Sequence, residues 1–450
     1  MISFIFVFLQ PKIVSAMIQE LKVKNFLSFK DEVTFSFEAT KDTFAEDYQV
    51  VEVTPGVRLL RFAMVYGANA SGKSNLLQAM AFLRYFFFYQ PENANEGTRT
   101  EPFLLDKATP SQPSEFELVF YVDEIKYWYT LKLDMQQVYE EKLYIYKSVQ
   151  PTLLFHRELN DGMSVIHFNA AAIRVRAAER EKISLECLRN MSVFAARDKV
   201  NTKIPDMDSA KNWLKSHLMP VIEPESKLFA YAESRNMENA QLHAHIIDFM
   251  RKADFNITDV STEIVSNTVP DDYIDYIISR DDVPTQEKER MKKERTIKQR
   301  KTLFEHAVMD NLSSERYTMN QYQESAGTIR TFGVETAIYE CINSESFLAI
   351  DEMECSLHPQ LVKYILLNFL RNKSRSQLLI TTHYDPLLNE VTKQNDQRIF
   401  RKDSVWFTEK LPSGHTDVYS LAEFRGLNRL SSIQKAYNQG NFGAFPQINL

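Results

Sequence analysis

Phe347-Leu348-Ala349-Ile350-Asp351-Glu352 is a continuous apolar run that ends in two acids, the pattern of a parallel strand buried on both faces. Gln377-Leu378-Leu379-Ile380-Thr381-Thr382 is a second such strand, and Leu60 to Tyr66 is an equally apolar run followed by glycine. Elsewhere the period drops to two. Ile18 to Phe26, Glu32 to Phe37, Glu115 to Val122, Ile125 to Leu133 and Val138 to Tyr146 alternate apolar and polar residues as half-buried strands do. The last three, with the turn Asp123-Glu124 between the first two, predict an antiparallel meander attached to the core. Asn75 to Leu83 and Ile329 to Ile338 read as helices. From about Ala170 to His306 the pattern becomes mostly helical and charged, with an extended interruption around Val260 to Tyr276. Inside it, Gln286 to Lys301 has too few apolar positions to bury a face, which predicts a solvated helix or mobile segment rather than a DNA- or partner-contacting stripe. No heptad run sustains a coiled coil and no solenoid or propeller repeat is present.

Composition adds limits. With 450 residues, 44% hydrophobic and 25% charged, the chain is an ordinary globular protein large enough for two structural units. A net charge of −7 gives no global signal for nucleic acid. Cys187, Cys341 and Cys355 lack metal-ligand spacing and fit reduced thiols of the cytosol. Ile2 to Leu9 followed by Val14-Ser15-Ala16 imitates a signal peptide but lacks its basic start. Met17 opens a well-patterned strand, so residues 1–16 read as an N-terminal extension or a mis-assigned start, and a cytoplasmic location is expected. No run approaches the roughly 18 apolar residues of a membrane span.

Chemistry concentrates at Gly67-Ala68-Asn69-Ala70-Ser71-Gly72-Lys73-Ser74, which fits G-x-x-x-x-G-K-[ST] between an apolar strand and a helix. Its glycines turn backbone N–H groups toward phosphate, the helix beginning near Asn75 faces the negative charge, Lys73 suits β/γ oxygens and the Ser74 hydroxyl suits Mg²⁺. Asp351 would hold Mg²⁺ and Glu352 would polarise the attacking water. His383, at the end of the second apolar strand, could sense a γ-phosphate, although a lone histidine is more often packed or on the surface. Ser325 and Gly327, in Glu324-Ser325-Ala326-Gly327-Thr328, open a helix and make either an anion site or an ordinary N-cap. His243 and His245, at i and i+2 of a helix, point to different faces and read as surface residues rather than metal ligands.

Taken in order, these pieces resemble the ATP-binding-cassette type of ATPase shared by SMC proteins, RecF-like proteins and the overcoming-lysogenization-defect group. The series is Walker A at Gly67 to Ser74, a signature-like Ser325-Ala326-Gly327-Thr328, Walker B at Ile350-Asp351-Glu352, a D-loop-like Ser356-Leu357-His358-Pro359 and a switch His383. The likeness is closer to stand-alone ATP-binding proteins of the RloA and AbiL type, through Val23 to Asp31, Glu101-Pro102-Phe103 and the ending Tyr437 to Pro446. It covers Met17 to the C-terminus and is weakest across the inserted lobe. The signature departs from the transporter form Leu-Ser-Gly-Gly-Gln, and the Q-loop residue stays open among Gln136, Gln137 and Glu141.

The resemblance implies an α/β fold: an ABC-type P-loop ATPase core, with mixed sheet and antiparallel meander, carrying a helical inserted lobe. It divides the chain into 17–170 with Walker A, a mainly helical insertion at 171–306, and 307–450 with signature, Walker B and switch histidine. It further implies ATP and Mg²⁺ as ligands, and a homodimer or higher homo-oligomer in which Ser325 and Gly327 of one protomer complete the nucleotide site of the other. The stretch after His383 is too short for the TOPRIM nuclease of some relatives, so a separate effector, such as a nuclease, is the expected partner in anti-phage defence. The competing reading is an ATP-gated DNA clamp for repair or end recognition, against which the acidic balance argues mildly. A transporter subunit fits worst, given the absent membrane span and the aberrant signature.

Overall fold

The computed structural model describes residues 16–253, 255–268, 270–280, 283, 285–309, 314–391 and 398–446. The extension expected at 1–16 falls, Ala16 apart, outside the described residues. The chain forms two compact units. Of the described residues, one unit contains those up to Ser226 together with Glu340–Cys355 and those from Val362 onward; the other contains those of Lys227–Tyr339 and Ser356–Leu361.

The first unit is built on a five-stranded sheet in the order Phe347–Ile350, Gln377–Thr381, Phe62–Gly67, Val405–Lys410 and Thr416–Ser420. The first four strands are mutually parallel and the last pairs antiparallel. Phe62–Gly67 occupies the centre, and every one of its six residues is buried, as the uninterrupted apolar run requires. A second, seven-stranded antiparallel sheet runs in the order Met163–Phe168, Thr152–Asn160, Val138–Tyr146, Ile125–Leu133, Ser114–Val122, Ala16–Lys24 and Val33–Ser36. Gln377 links the two sheets, because its side chain accepts from Ile18 N (2.6 Å) and donates to the carbonyls of Ile18 (2.8 Å) and Leu60 (3.1 Å). The helix Lys73–Phe88 buries Leu76, Leu77, Met80, Leu83 and Phe87 in the same hydrophobic core as strands of both sheets.

The expected α/β core with mixed sheet, meander and insertion is therefore present, with two additions. The meander continues through Thr152–Asn160 and Met163–Phe168, joined by Asp161 (φ 46°) and Gly162 (φ 75°), the conformation of a tight type I′ hairpin. The helices Ala177–Glu186, Val193–Asp198 and Pro205–Ser216, expected within the insertion at 171–306, belong instead to this unit, and the second unit begins at Lys227 and runs past 306 to Tyr339. Trp213 stacks on Phe120 at 5.0 Å, and Phe194 packs on Phe87 and Tyr129.

The second unit holds helices Phe229–Glu238, Ala240–Lys252, Asp271–Ser279 and Thr285–Glu294, and most of Ala326–Asn343. It also holds a three-stranded antiparallel sheet of Ile257–Thr268, Thr296–Met309 and Ser314–Asn320; the extended interruption expected around Val260 to Tyr276 is strand as far as Thr268 but helix from Asp271. The segment Gln286 to Lys301, expected as a solvated helix or mobile segment, changes from helix to strand at Arg295, whose φ is 51°. Pairing with Ile257–Thr268 overrides the helical pattern: Thr296–Glu305 match Asp259–Thr268 residue by residue, the register shifts before Ile257 pairs with His306, and Thr302 and Phe304 are buried. Among the described residues no helix is long and apolar enough to cross a membrane.

Candidate functional site

The central strand Phe62–Gly67 runs straight into the loop, and the helix begins at Lys73. Two glycines are required by crowding. A Cβ on Gly67 would strike Ser71 Oγ and lie 2.5 Å from the Thr408 carbonyl, and one on Gly72 (φ +100°) would strike Thr416 and lie 2.8 Å from Ser28 Oγ. Ala70 also takes a left-handed conformation, φ 59°. Hydroxyls fix this turn from outside the motif. Ser71 Oγ lies 2.6 Å from Thr408 Oγ1, Thr416 Oγ1 donates to Ser71 O at 2.8 Å, and Asn75 Nδ2 donates to Ser28 Oγ at 2.7 Å. Asn69 and Ala70 remain exposed at the tip.

Lys73 is buried, and its ammonium donates to the carbonyls of Gly67 (3.0 Å) and Ala68 (3.1 Å). Burial lowers its pKa, partly offset by Asp351, Glu352 and Glu354. The lysine therefore lies folded back on the carbonyls of its own loop, a cation placed where a loop of this sequence would hold phosphate oxygens.

Asp351 and Glu352 leave the C-terminal end of the buried strand Phe347–Ile350, beside the central strands. One hydroxyl sets both acids: Thr381 Oγ1 donates to Asp351 Oδ1 (2.5 Å) and accepts from Glu352 N (2.8 Å). Glu352 is held at φ 45°, a cost that non-glycine residues bear mostly at functional sites. The next strand ends at Thr381, so His383 follows at the same sheet edge, its N–H donating to Glu354 Oε1 at 2.5 Å. Burial, and then the Lys73 charge, hold the His383 pKa below its ordinary value against the pull of Glu354, Glu352 and Asp351.

Asn69 to Asn75, Glu352 and His383 line one open cleft of about 720 Å³, whereas Gly67, Asp351 and Thr381 are not among its lining residues. Ser325 and Gly327 belong to the inserted unit. Ser325 Oγ accepts from Thr328 N at 3.0 Å as an N-cap of the helix Ala326–Asn343, and a Cβ on Gly327 would come within 3.0 Å of the Ser356 carbonyl. The D-loop-like and signature-like segments therefore meet within that unit. Glu324, the residue before Ser325, pairs with His306 at 2.6 Å.

None of the Q-loop candidates lines the cleft. Glu141 is fully buried in the meander, accepting from Ser192 Oγ (2.8 Å) and Val193 N and pairing with Arg157, while Gln136 and Gln137 sit in a turn whose amides bond Asp134. His243 and His245 are half-buried rather than free on the surface, since His243 pairs with Asp259 and His245 with the buried Glu335 at 2.7 Å. Motif reading missed Ser28, Thr381, Thr408 and Thr416. The advance signals were the place of Ser28 in the opening Val23 to Asp31 stretch and that of Thr381 at the end of the second apolar strand.

The arrangement offers N–H groups and a buried cation to a polyanion, and a carboxylate, Glu352, facing the same space to take a proton from water. The Ser74 hydroxyl and the Asp351 carboxylate are hard oxygen donors that suit Mg²⁺ rather than a soft metal, so the residues present fit that ion.

A family model described as "AAA domain, putative AbiEii toxin, Type IV TA system" matches residues 62–173 and 206–389. No curated protein matches the sequence. Among solved structures, the chain is similar to the SMC head domain from Thermotoga maritima, with 12% identity and a TM-score of 0.37 over 90% of this chain and 98% of that one. It is similar also to the SmcHead bound to the C-winged helix domain of ScpA, with 11% identity and a TM-score of 0.38 over 94% of this chain and 99% of that one.

Proposed function

The chain belongs to the family described as AAA domain, putative AbiEii toxin, Type IV TA system, and from that premise we propose that it binds and hydrolyses ATP at the Gly67–Ser74 loop. The observation that carries this reading is the joint placement of Lys73, Glu352 and His383 around one cleft at the end of the central strands. In it, the amides of Asn69 to Ser74 and the Lys73 ammonium hold the β/γ-phosphates. Glu352 takes the proton of the attacking water, and His383 donates a hydrogen bond to a γ-phosphate oxygen. Ser74 and Asp351 would hold Mg²⁺, which when bound neutralises charge shared by the β- and γ-phosphates.

We propose further that two copies, or a higher homo-oligomer, sandwich the nucleotide, with Ser325 and Gly327 of one protomer completing the site of the other. The closed state then gates a separate effector, for which a nuclease is the leading candidate. The anti-phage role of this gate, in the cytoplasm, rests on the resemblance to RloA- and AbiL-type ABC ATPases, and the family description names a putative AbiEii toxin of a Type IV TA system.

Lys73→Ala tests the phosphate-loop reading, because no second cation in the motif can replace the ammonium. ATPase activity should fall to background, and ATP affinity, measured by calorimetry on the purified variant, should fall with it. Wild-type values in both would remove the assignment.

A further inference from the structure

Beyond the phosphate loop, the same cleft has a largely apolar wall: Leu27, Pro102, Phe103, Leu104 and Leu105, with Lys410 and Gly414 beside them. Phe103 is buried, but Leu104 and Leu105 are 69% and 66% exposed. Two adjacent leucines left in water are a cost that a bound apolar surface would relieve.

The segment that presents them is tightly held. Asn25 Oδ1 accepts from Phe103 N (3.1 Å), while its Nδ2 donates to the carbonyls of Thr109 (2.8 Å) and Gln112 (2.9 Å). Thr109 Oγ1 donates to Phe103 O (2.8 Å), and Asp106 accepts from Ala108 N (2.8 Å) and from Lys30 Nζ (2.8 Å). On the far side, Leu105 lies over the turn at Gly414 (φ +84°), where a Cβ would come within 2.8 Å of Leu105 Cδ1. Leu27 N donates to Glu101 O at 2.8 Å, and the adjacent Ser28 accepts from Asn75 of the phosphate-loop helix. Apolar wall and phosphate loop thus share one hydrogen-bonded frame. A wall already rigid before binding loses little entropy when a ligand settles on it.

Resting on the reading that a nucleoside triphosphate occupies the loop, we propose that Leu27, Leu104 and Leu105 form its nucleobase subsite, covering one face of a purine. The cleft volume of about 720 Å³ lies within the range of small-molecule sites. Apolar contact rewards area, so the wall favours the larger purines over pyrimidines.

The test is calorimetric titration with ATP, GTP, CTP, UTP and inorganic tripolyphosphate, applied to the wild type, to Leu104→Ser with Leu105→Ser, and to Leu104→Met with Leu105→Met. The wild type should bind ATP more tightly than tripolyphosphate and bind both purine nucleotides more tightly than CTP or UTP. The serine pair should lose roughly ten-fold in ATP affinity, the scale of removing one or two leucine contacts from a ligand, while its tripolyphosphate affinity stays unchanged and reports an intact fold. The methionine pair, still apolar, should keep ATP affinity. A serine pair with wild-type ATP affinity would overturn the subsite and assign the leucines to a protein surface instead. Equal wild-type affinity for ATP and tripolyphosphate would overturn it too, yet leave the phosphate loop standing; failure of the wild type to bind either ligand would remove both readings.

Discussion

Glu352 is the residue on which hydrolysis, as distinct from binding, depends in the proposed mechanism. Its left-handed backbone and the bond from its N–H to Thr381 Oγ1 fix where the carboxylate leaves the chain. An amide there keeps the shape but is a far weaker base, so Glu352→Gln should slow turnover by about 10²–10⁴-fold with ATP affinity retained. Single-turnover kinetics beside calorimetry would show the split, and an unchanged rate would reduce Glu352 to an acid near the metal position. His383 gives a proton signature. Its pKa lies below the ordinary 6.5, first through burial and then through Lys73, so above that pH it is neutral in folded and unfolded chain alike. As pH falls below 6.5 the unfolded chain protonates first, and stability declines until the folded pKa is passed. A bound triphosphate favours imidazolium and raises that pKa. ATP binding near pH 6 should therefore take up more protons in the wild type than in His383→Asn, as read by calorimetry in buffers of different ionisation enthalpy. Equal uptake would place His383 away from the phosphates.

At the scale of elements, the meander is fastened by a buried ion pair rather than by apolar packing alone. Arg157 bonds Glu141 (3.3 Å), Met191 O (2.6 Å), Leu188 O (3.0 Å) and Ser164 Oγ (2.8 Å), joining neighbouring strands to the segment that leads into helix Val193–Asp198. Arg157→Leu would leave Glu141 buried without its cation, at a cost of about 3–5 kcal/mol. Urea unfolding should show this, and the added change Glu141→Leu should restore part of the loss; additive losses would deny the coupling. The same elements show what could be read in advance. Phe62–Gly67, Phe347–Ile350 and Gln377–Thr381 were legible because strands buried on both faces need uninterrupted apolar runs. The hairpin at Asp161-Gly162 carried a local signal that alternation alone overlooks. Strand Thr296–Met309 carried none, since its Lys- and Arg-rich stretch is extended only through pairing with a distant partner. Likewise Gly67 to Ser74 could be read as a contiguous motif, whereas Ser28, Thr381, Thr408 and Thr416 act on the site from separate segments, which no local pattern joins.

The whole molecule sets the last test, because the proposed sandwich needs two chains and each chain carries half of two different sites. Ser325 caps its own helix through Thr328 N, so its hydroxyl has a local role apart from any partner. Ser325→Arg removes that cap, worth about 1 kcal/mol, and puts bulk and positive charge where the facing γ-phosphate must dock. Ser325→Thr keeps a capping hydroxyl and should keep activity. Since the phosphate loop of the arginine variant is untouched, its ATP affinity as a monomer should remain near wild type while hydrolysis is lost. Mixed with Lys73→Ala, it forms heterodimers in which one composite site joins an intact phosphate loop to an intact Ser325, and the other site carries both defects. If one working site suffices, activity should rise above that of either variant alone as they are mixed, reaching its maximum near equal amounts. Wild-type hydrolysis by Ser325→Arg on its own would contradict the sandwich, because no partner residue would then be completing the site that Lys73 begins.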